Sequence, residues 1–244
     1  MPNTERTVNW SLVVPLKPLS LAKSRLAPTA SDTVRPGLAL AFAQDTVAAA
    51  LACSAVRDVA VVTNDAVAAA ELTALGARIV PDTAAPGLNP ALAHGARAVR
   101  AVRPGAAVAA LNADLPALRP AELRRVLDRA AEFPRAFLTD AAGIGTTLLT
   151  ARPGTELSPA FGGLSRARHS ASGAVEILLG DVHSVRQDVD TGADLLAAAA
   201  LGLGPYTARR YAAFTGEQGI TGPPGGPVDT GTAGPPPADP AARA

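Results

Sequence analysis

Cysteine and aromatic residues are scarce in this sequence: it has one cysteine, Cys53, and 3% of its residues are Phe, Trp or Tyr. One cysteine cannot form an intrachain disulfide, and nothing else in the sequence indicates a zinc cage. We expect Cys53 to be a small buried residue on a helix. The core therefore has to be built mainly from Ala, Val and Leu, within an apolar fraction of 48%.

Excess charge and long apolar runs are also missing. Lys and Arg together number 22 against 21 Asp and Glu, which gives a formal charge of +1. The broad positive field on which nucleic-acid and membrane-surface binding rely is therefore absent. No apolar stretch reaches the ~20 residues needed to cross a bilayer, and the N-terminus lacks the pattern of a signal peptide. We expect a cytoplasmic protein that binds neither nucleic acid nor membranes.

Short apolar runs alternate with helical segments from residue 10 to about residue 203. This alternation predicts an α/β fold with a mostly parallel sheet and helices on both faces. Asn64 and Asn89 are the expected caps of two of the helices. Strands are predicted over residues 10–14, 56–63, 77–80, 106–111, 136–139, 146–150 and 182–189, and helices over 39–53, 65–75, 90–102, 120–133, 165–179 and 194–201.

The composition changes near residue 216, after which Gly, Pro, Ala and Thr dominate without apolar periodicity. Such a segment cannot bury enough surface to offset the entropy lost on ordering. We therefore expect one folded domain over residues 1–215 and a disordered tail over residues 216–244.

Ligands of parallel α/β sheets bind outside the carboxyl ends of the strands, so the segments after strands are the candidates for chemistry. After the first strand, the loop from Leu16 to Leu26 carries Lys17, Lys23 and Arg25. Positive charges and hydrogen-bond donors that converge in one loop suit a polyphosphate. A solvated basic loop is the alternative interpretation. The loop has no GxGxxG fingerprint, which argues against a dinucleotide cofactor.

Carboxylates follow two further predicted strands. Asp114 comes after the strand that ends at residue 111, and Asp188 and Asp190 lie at the end of the last predicted strand. Residues two apart on a strand face the same side, so this pair would repel unless a cation lay between its members. Mg²⁺ prefers oxygen ligands and is commonly held by one or two carboxylates plus substrate phosphates. The three aspartates together predict a Mg²⁺ site, with a helix cap or a turn as the alternative role of Asp114.

Two glycine-containing segments, residues 143–149 and 161–165, complete the candidate site. Their glycines let the backbone approach an anion closely, and Thr147 and Ser165 add hydroxyl donors. Ser165 also begins a predicted helix, whose first N–H groups favour an anion. A pair of ordinary turns is the alternative. His169 lies one turn after Ser165, but we do not expect it to be catalytic.

Six motifs occur here in the order that one family shows: VPLKPLSLAKSRL, GLNPAL, NADLPAL, GTTLL, FGGLSRARH and DVDT. The sequence resembles the phosphoenolpyruvate and 2-phospho-L-lactate guanylyltransferases of coenzyme F-420 biosynthesis. The resemblance implies a nucleotidyltransferase-type fold, the nucleotide-diphospho-sugar transferase-like three-layer sandwich. It also implies that the chain joins GTP to a small phosphorylated three-carbon acid, with Mg²⁺ as cofactor and diphosphate as the second product.

Carried over residue by residue, the resemblance implies three groups of site residues. The metal-binding and catalytic aspartates are Asp114, Asp188 and Asp190. The residues that hold GTP are Lys17, Lys23, Arg25 and Asn89, of which Lys23 is also catalytic. The contacts to the acid are Thr147, Gly162 and Ser165.

The sequence does not distinguish the two possible acceptors of the guanylyl group, because phosphoenolpyruvate and 2-phospho-L-lactate carry the same charges. A composition typical of a high-GC actinobacterial genome favours phosphoenolpyruvate, with 2-phospho-L-lactate as the alternative. A transferase acting on a sugar phosphate or molybdopterin and a non-catalytic nucleotide-binding regulator are more distant alternatives. A transient transfer of the product to the next enzyme of the pathway is compatible with the expected activity.

Overall fold

One sheet of seven strands organises the part of the chain that the computed structural model describes, which is residues 8–21, 26, 31 and 33–217, with side chains to residue 213. The strands are β1 (Trp10–Pro15), β2 (Val56–Val62), β3 (Arg78–Val80), β4 (Ala107–Leu111), β5 (Arg135–Leu138), β6 (Leu148–Ala151) and β7 (Val175–Glu176). Their order across the sheet is β3-β2-β1-β4-β6-β5-β7. Strand β6 runs antiparallel to β4 and β5, and the other pairs are parallel. The predicted mostly parallel sheet is therefore confirmed.

The helices of the described residues connect these strands and cover both faces of the sheet. They are α1 (Arg35–Leu51), α2 (Ala66–Ala74), α3 (Leu88–Val102), α4 (Pro120–Ala130), α5 (Ser165–Ala171), α6 (His183–Arg186), α7 (Gly192–Leu201) and α8 (Pro205–Glu217), with a 3-10 turn at Leu19–Leu21. None of them combines the length and apolar character needed to cross a membrane. Cys53 is buried, as expected, but it lies just after the end of α1 and not on the helix.

Alternation along β1 divides the core into two halves. Leu12 and Val14 pack in a cluster that includes Val47 of α1 and Leu123 of α4, whereas Val13 packs with residues of α3. Consecutive strand residues point to opposite faces, so β1 is covered by helices on both sides. This is the predicted three-layer arrangement.

The predicted strand over residues 182–189 is wrong, because this segment contains the short helix α6 instead. Its buried apolar residues are Val182, Val185 and Val189, whose spacing of three and four residues follows the helical rather than the strand period. Glu122 of α4 binds the N-terminus of α6, where its carboxylate accepts hydrogen bonds from the N–H and the hydroxyl of Ser184 at 2.8 Å each. The edge of the sheet is formed by β7, within the region where the sequence pattern predicts a helix to residue 179; that helix ends at Ala171.

Helix α8 lies where the sequence pattern predicts no element, and a single buried carboxylate explains its position. Asp45 of α1 accepts hydrogen bonds from the backbone N–H of Tyr206 at 3.1 Å and of Thr207 at 2.7 Å, in the first turn of α8. Burial nevertheless raises the pKa of Asp45. The helix ends at Glu217, slightly beyond the predicted domain boundary. The rest of the predicted tail, residues 218–244, lies outside the described residues.

Candidate active site

The order of the strands places the candidate site between β1 and β4. Strands β2 and β3 extend the sheet to one side of β1, and β4 lies on the other side, so the connections reverse at this point. Ligands of open α/β sheets bind at such a point, outside the carboxyl ends of the strands. Lys17 follows the end of β1, and Asp114 follows the end of β4. The predicted basic loop and the first predicted aspartate therefore begin on adjacent strands.

The start of the basic loop is held by backbone hydrogen bonds. The N–H of Leu16 donates to the carbonyl of Val62 at 2.9 Å, and the N–H of Leu19 donates to Asp65 Oδ2 at 2.9 Å. Asp65 also caps α2 by accepting from the N–H of Ala68 at 3.0 Å, and these two bonds lower its pKa. Lys17 is exposed to solvent in this loop. Lys23 and Arg25, which the sequence predicts as triphosphate contacts, lie outside the described residues.

Asp65, and not Asn64, is the cap of α2, so the predicted cap is wrong by one residue. Asn64 has a different role, because its side chain binds the backbone of Asp82 on both sides. Its Nδ2 donates to the carbonyl of Asp82 at 2.7 Å, and its Oδ1 accepts from the N–H at 2.9 Å. These two bonds fix the backbone from which the Asp82 carboxylate projects.

A cavity of about 250 Å³ lies beside the start of the basic loop. Its volume is just below the ~300–1,000 Å³ of complete small-molecule sites, so it suits one part of a larger ligand. Asp82 forms part of its wall, and Leu88 and Ala91 of the first turn of α3 form an apolar part. The lining residues are Pro15, Leu16, Lys17, Pro18, Val62, Asp82, Gly87, Leu88 and Ala91.

The three predicted aspartates lie on two segments that are hydrogen-bonded to each other. The N–H of Val189 donates to the carbonyl of Asp114 at 3.0 Å, and Asn112 Nδ2 donates to Asp188 Oδ2 at 3.3 Å. Asp188 and Asp190 flank the fully buried Val189 and are themselves partly exposed. The structure therefore brings Asp114 and the Asp188–Asp190 segment together, although that segment is not a strand.

Asp190 leads directly into the N-terminus of α7. Its backbone N–H donates to Asp194 Oδ2 at 3.2 Å, and Thr191 and Asp194 form a reciprocal capping box. These bonds fix the backbone of Asp190 at the start of the helix.

No three His, Cys, Asp or Glu side chains of the described ranges are grouped closely enough to enclose a metal ion. The donor chemistry nevertheless fits Mg²⁺, because carboxylates from two adjoining segments are hard oxygen ligands. Mg²⁺ is usually held by one or two carboxylates together with substrate phosphates and water, rather than by a cage of protein ligands. The residues present therefore fit a metal that binds together with a nucleotide.

The predicted acid contacts lie on the side of the aspartates away from the basic loop. Thr147 is joined to them through its carbonyl, which accepts from the N–H of Asn112 at 3.0 Å. The Thr147 side chain is fully buried, and its Oγ1 has no hydrogen-bond partner in the described part of the chain. A buried hydroxyl left without a partner costs roughly 1–3 kcal/mol, and the predicted contact of Thr147 with the acid stays a prediction.

Gly162 and Ser165 lie beyond Thr147, in the segment before and at the start of α5. Gly162 and Gly163 have φ values of 92° and 46°, which favour glycine, and a Cβ on either would meet no atom within 4 Å. Ser165 is 1% exposed, and its hydroxyl donates to Thr146 Oγ1 at 3.1 Å. The two glycines are exposed and leave the backbone accessible, whereas the Ser165 and Thr146 hydroxyls are buried.

The side chain of Asn89 connects α3 to the segment before α5 through two hydrogen bonds. Its Oδ1 accepts from the N–H of Phe161 at 2.7 Å, and its Nδ2 donates to the Phe161 carbonyl at 3.2 Å. Helix α3 begins one residue earlier than Asn89, with Gly87 at its cap position, so the predicted capping role of Asn89 is wrong. Its predicted contact with the guanosine stays a prediction.

His169 is the residue near the acid contacts to which the sequence pattern assigns no function. It is fully buried, its Nε2 accepts from the N–H of Ala160 at 3.0 Å, and its Nδ1 lies 2.9 Å from Thr146 Oγ1. Burial, reinforced by Arg135 and Arg168, lowers its pKa to about 4. The ring is therefore neutral at pH 7. Its partners are distant in sequence, so no local signal could have indicated them.

Asp82 is a second residue that the sequence analysis does not single out. It follows the end of β3 closely, so the rule that ligands bind beyond the carboxyl ends of strands could have indicated it.

The mostly parallel sheet, the start of the basic loop at its switch point and the carboxylate of Asp114 after β4 are the arrangement expected of an α/β nucleotidyltransferase. Solved structures share this fold. A protein described as a nucleotide-diphospho-sugar transferase from Desulfovibrio desulfuricans G20 superposes with a TM-score of 0.63 at 14% identity, over 86% of this chain and 98% of that chain. A nucleotidyl transferase from Methanothermobacter superposes with a TM-score of 0.55 at 20% identity, over 79% and 97%. At these identities the likeness concerns the fold alone.

The family follows from the sequence. A family model described as "Guanylyl transferase CofC like" matches residues 10–212, and the chain belongs to this family. A phosphoenolpyruvate guanylyltransferase from Streptomyces avermitilis is 71% identical over 218 residues, which are 89% of this chain and 99% of that protein. One from Streptomyces coelicolor is 72% identical over 201 residues, which are 82% and 95%. The chain is accordingly an enzyme of the nucleotidyltransferase class.

Proposed function

We propose that this enzyme joins GTP to phosphoenolpyruvate and yields enolpyruvyl-diphospho-guanosine and diphosphate, a step of coenzyme F-420 biosynthesis. The names of relatives at about 70% identity support the choice of substrates. The structural observation that carries the proposal is Asn112. Its N–H binds the carbonyl of Thr147, on the acid side, and its amide binds Asp188, on the aspartate side. Asn112 thus connects the proposed acid-binding segment to the proposed metal-binding segment, and the reaction requires both. Both substrates are metabolites of the cytoplasm, where we place the enzyme.

The reaction is an in-line displacement at the α-phosphorus of GTP. A phosphate oxygen of phosphoenolpyruvate forms the new P–O bond, and the bond from the α-phosphorus to the bridging oxygen breaks, so that its electron pair leaves with diphosphate. The attacking phosphate is already ionised near pH 7, because its second pKa is about 6. No general base is needed, and the protein contributes positioning and charge neutralisation.

The charges that gather at the transferred phosphate have complementary groups in the site. Lys17, together with Lys23 and Arg25 of the same loop, would hold the triphosphate and the departing diphosphate. Asp114, Asp188 and Asp190 would hold Mg²⁺, which when bound neutralises phosphate charge. Thr147, Gly162 and Ser165 would orient the acid, Thr147 through the hydroxyl that lacks a partner among the described residues.

We further propose that the cavity beside the basic loop receives the guanine and that Asp82 reads it. Guanine presents an N1–H and an exocyclic amine side by side, and a carboxylate can accept from both. Within the described part of the chain, the hydrogen bond of Asp82 Oδ1 is a long one from the N–H of Ala84, at 3.3 Å, and the two bonds with the Asn64 side chain fix the backbone behind it. Lys17 lines the same cavity, so the base would lie next to the start of the triphosphate site.

Comparison of GTP with ITP, which lacks the exocyclic amine, tests this assignment. A bidentate contact to a base contributes about 1–3 kcal/mol of discrimination. We therefore expect the wild-type enzyme to prefer GTP by kcat/KM and Asp82→Asn to lose most of that preference, while the KM for the acid stays the same. A variant that still prefers GTP as strongly as the wild type would show that another residue reads the amine.

The function itself is tested by diphosphate release from GTP with a panel of acceptors. The panel contains phosphoenolpyruvate, 2-phospho-L-lactate, a hexose 1-phosphate and no acceptor. Release that is fastest with phosphoenolpyruvate supports the proposal. Equal or faster release with 2-phospho-L-lactate would reassign the acceptor, and release with the sugar phosphate alone would overturn the proposal.

A further inference from the structure

His169, Thr146 and Ser165 form a buried hydrogen-bonded cluster behind the proposed acid contacts. Their exposed fractions are 0%, 4% and 1%, respectively. The His169 ring also packs against Phe137 and Phe161, with ring centroids 5.7 and 5.1 Å away. The proposed reaction needs no base, so it gives this neutral imidazole no proton-transfer step.

The partners of the ring determine which nitrogen carries the hydrogen. The backbone N–H of Ala160 can only donate, and it lies 3.0 Å from Nε2. Nε2 must therefore be the unprotonated nitrogen, and a neutral ring then has its hydrogen on Nδ1. It follows that Nδ1–H donates to Thr146 Oγ1 across the 2.9 Å contact.

This tautomer decides where the hydroxyl protons of the cluster go. Thr146 and Ser165 have one hydroxyl proton each, and Ser165 uses its own in the hydrogen bond that it donates to Thr146 Oγ1, at 3.1 Å. If Nδ1 were an acceptor, Thr146 would donate the second proton inward to the ring. Because Nδ1 is a donor, the second proton remains for an acceptor outside the cluster.

We infer that His169 is a positioning residue for the acid: held as the Nδ1–H tautomer by Ala160, it keeps the hydroxyl proton of Thr146 directed at the substrate anion. The inference rests on the proposed function, in which Thr147, the next residue, and Ser165, the hydrogen-bonded partner of Thr146, contact the phosphorylated acid. A phosphate or carboxylate accepts hydrogen bonds only, so it requires hydroxyls that donate.

Two substitutions separate this role from simple packing. The amide nitrogen of an asparagine is as many bonds from Cα as Nδ1 is, so His169→Asn retains a donor to Thr146 and loses the acceptor for Ala160. The amide of a glutamine reaches the position of Nε2, so His169→Gln retains the acceptor for Ala160 and loses the donor to Thr146. His183→Gln, on an exposed histidine of α6, is the matched control.

We expect His169→Gln to raise the KM for phosphoenolpyruvate about tenfold, which corresponds to the loss of one hydrogen bond to an anion. The KM for GTP should stay within about twofold, because the proposed base cavity does not include this cluster. His169→Asn and the control should retain the wild-type KM for the acid. The inference is wrong if His169→Asn impairs acid binding and His169→Gln does not, or if the KM values for both substrates rise together.

Nitrogen-15 NMR of the imidazole rings gives a readout that does not depend on catalysis. The full-length chain has three histidines, and the signal missing from His169→Asn identifies His169. We expect the Nδ1–H tautomer at pH 7; an Nε2–H tautomer or a charged ring would overturn the inference even if the enzyme is active. A wild-type enzyme that shows this tautomer but does not use phosphoenolpyruvate would instead refute the proposed function.

Discussion

Gly95 lets helix α3 lie close to the sheet, and its replacement by alanine is a quantitative test of the packing. A Cβ at this position would lie 2.4 Å from Val13 Cγ1 and 2.6 Å from Val62 Cγ2. Both valines are buried, at 0% and 1% exposure, and a β-branched side chain has little freedom to rotate away. Helix α3 or the two strands would therefore have to move apart.

The expected effect is the balance of two terms. Overpacking of a core costs about 1–3 kcal/mol, and the better helix propensity of alanine returns up to about 1 kcal/mol. We expect Gly95→Ala to lower the free energy of unfolding by about 1–2 kcal/mol. The first turn of α3 lines the cavity proposed for guanine, so a displaced helix should also raise the KM for GTP.

Urea denaturation monitored by circular dichroism measures the first effect, and an unchanged m-value would show that the unfolding transition is comparable. Gly105→Ala is the control, because a Cβ at Gly105 meets no atom within 4 Å. That variant should stay within about 0.5 kcal/mol of the wild type. A Gly95→Ala protein as stable as the control would refute the close approach of α3 to β1 and β2.

Three further predictions concern the site itself. Thr147→Val removes a hydroxyl that lacks a partner among the described residues; it should leave the melting temperature unchanged or raised while the KM for the acid rises about fivefold, and a lower melting temperature with unchanged KM would contradict the proposed contact. The pKa of His169, lowered to about 4, favours the neutral ring in the folded state. The neutral ring therefore stabilises the folded state above about pH 6.5, and this stabilisation is lost as the pH falls toward 4. Between pH 7.5 and 5 the free energy of unfolding of the wild type should fall by about 2 kcal/mol more than that of His169→Asn; parallel pH profiles of the free energy of unfolding would contradict this. Asp188→Asn should reduce kcat about 100-fold or more with folding intact by circular dichroism, and turnover at the wild-type rate would exclude Asp188 from metal binding.

Much of the fold could be predicted from the sequence, because the signals are local. Strand β1 is a buried apolar run that ends at a proline, and β4 is a run of Ala, Val and Leu followed by polar residues. Such runs, separated by helical segments, are enough to predict a parallel sheet and the edge at which ligands bind. The proximity of Asp114 to the segment of Asp188 is as predicted, but the prediction rested on a strand over residues 182–189 that the structure replaces by a short helix.

The details that depend on distant partners could not be predicted in this way. Asparagine is a residue type that commonly caps helices, but both the Oδ1 and the Nδ2 of Asn89 are hydrogen-bonded to the backbone of Phe161. Helix α8 depends on Asp45, which is 161 residues away from its first bonded N–H. His169 finds its two partners 9 and 23 residues away in the chain. In each case the tertiary contact, and not the local pattern, decides the role of the side chain.

Mass spectrometry of the product formed from GTP and uniformly ¹³C-labelled phosphoenolpyruvate is a direct test of guanylyl transfer to phosphoenolpyruvate. The reaction is run with the purified full-length chain and Mg²⁺. We expect one new compound that contains guanosine, two phosphorus atoms and all three labelled carbons, formed in a 1:1 ratio with diphosphate. Formation of diphosphate with unlabelled GMP, or of no labelled nucleotide at all, would show that the enzyme does not transfer a guanylyl group to phosphoenolpyruvate.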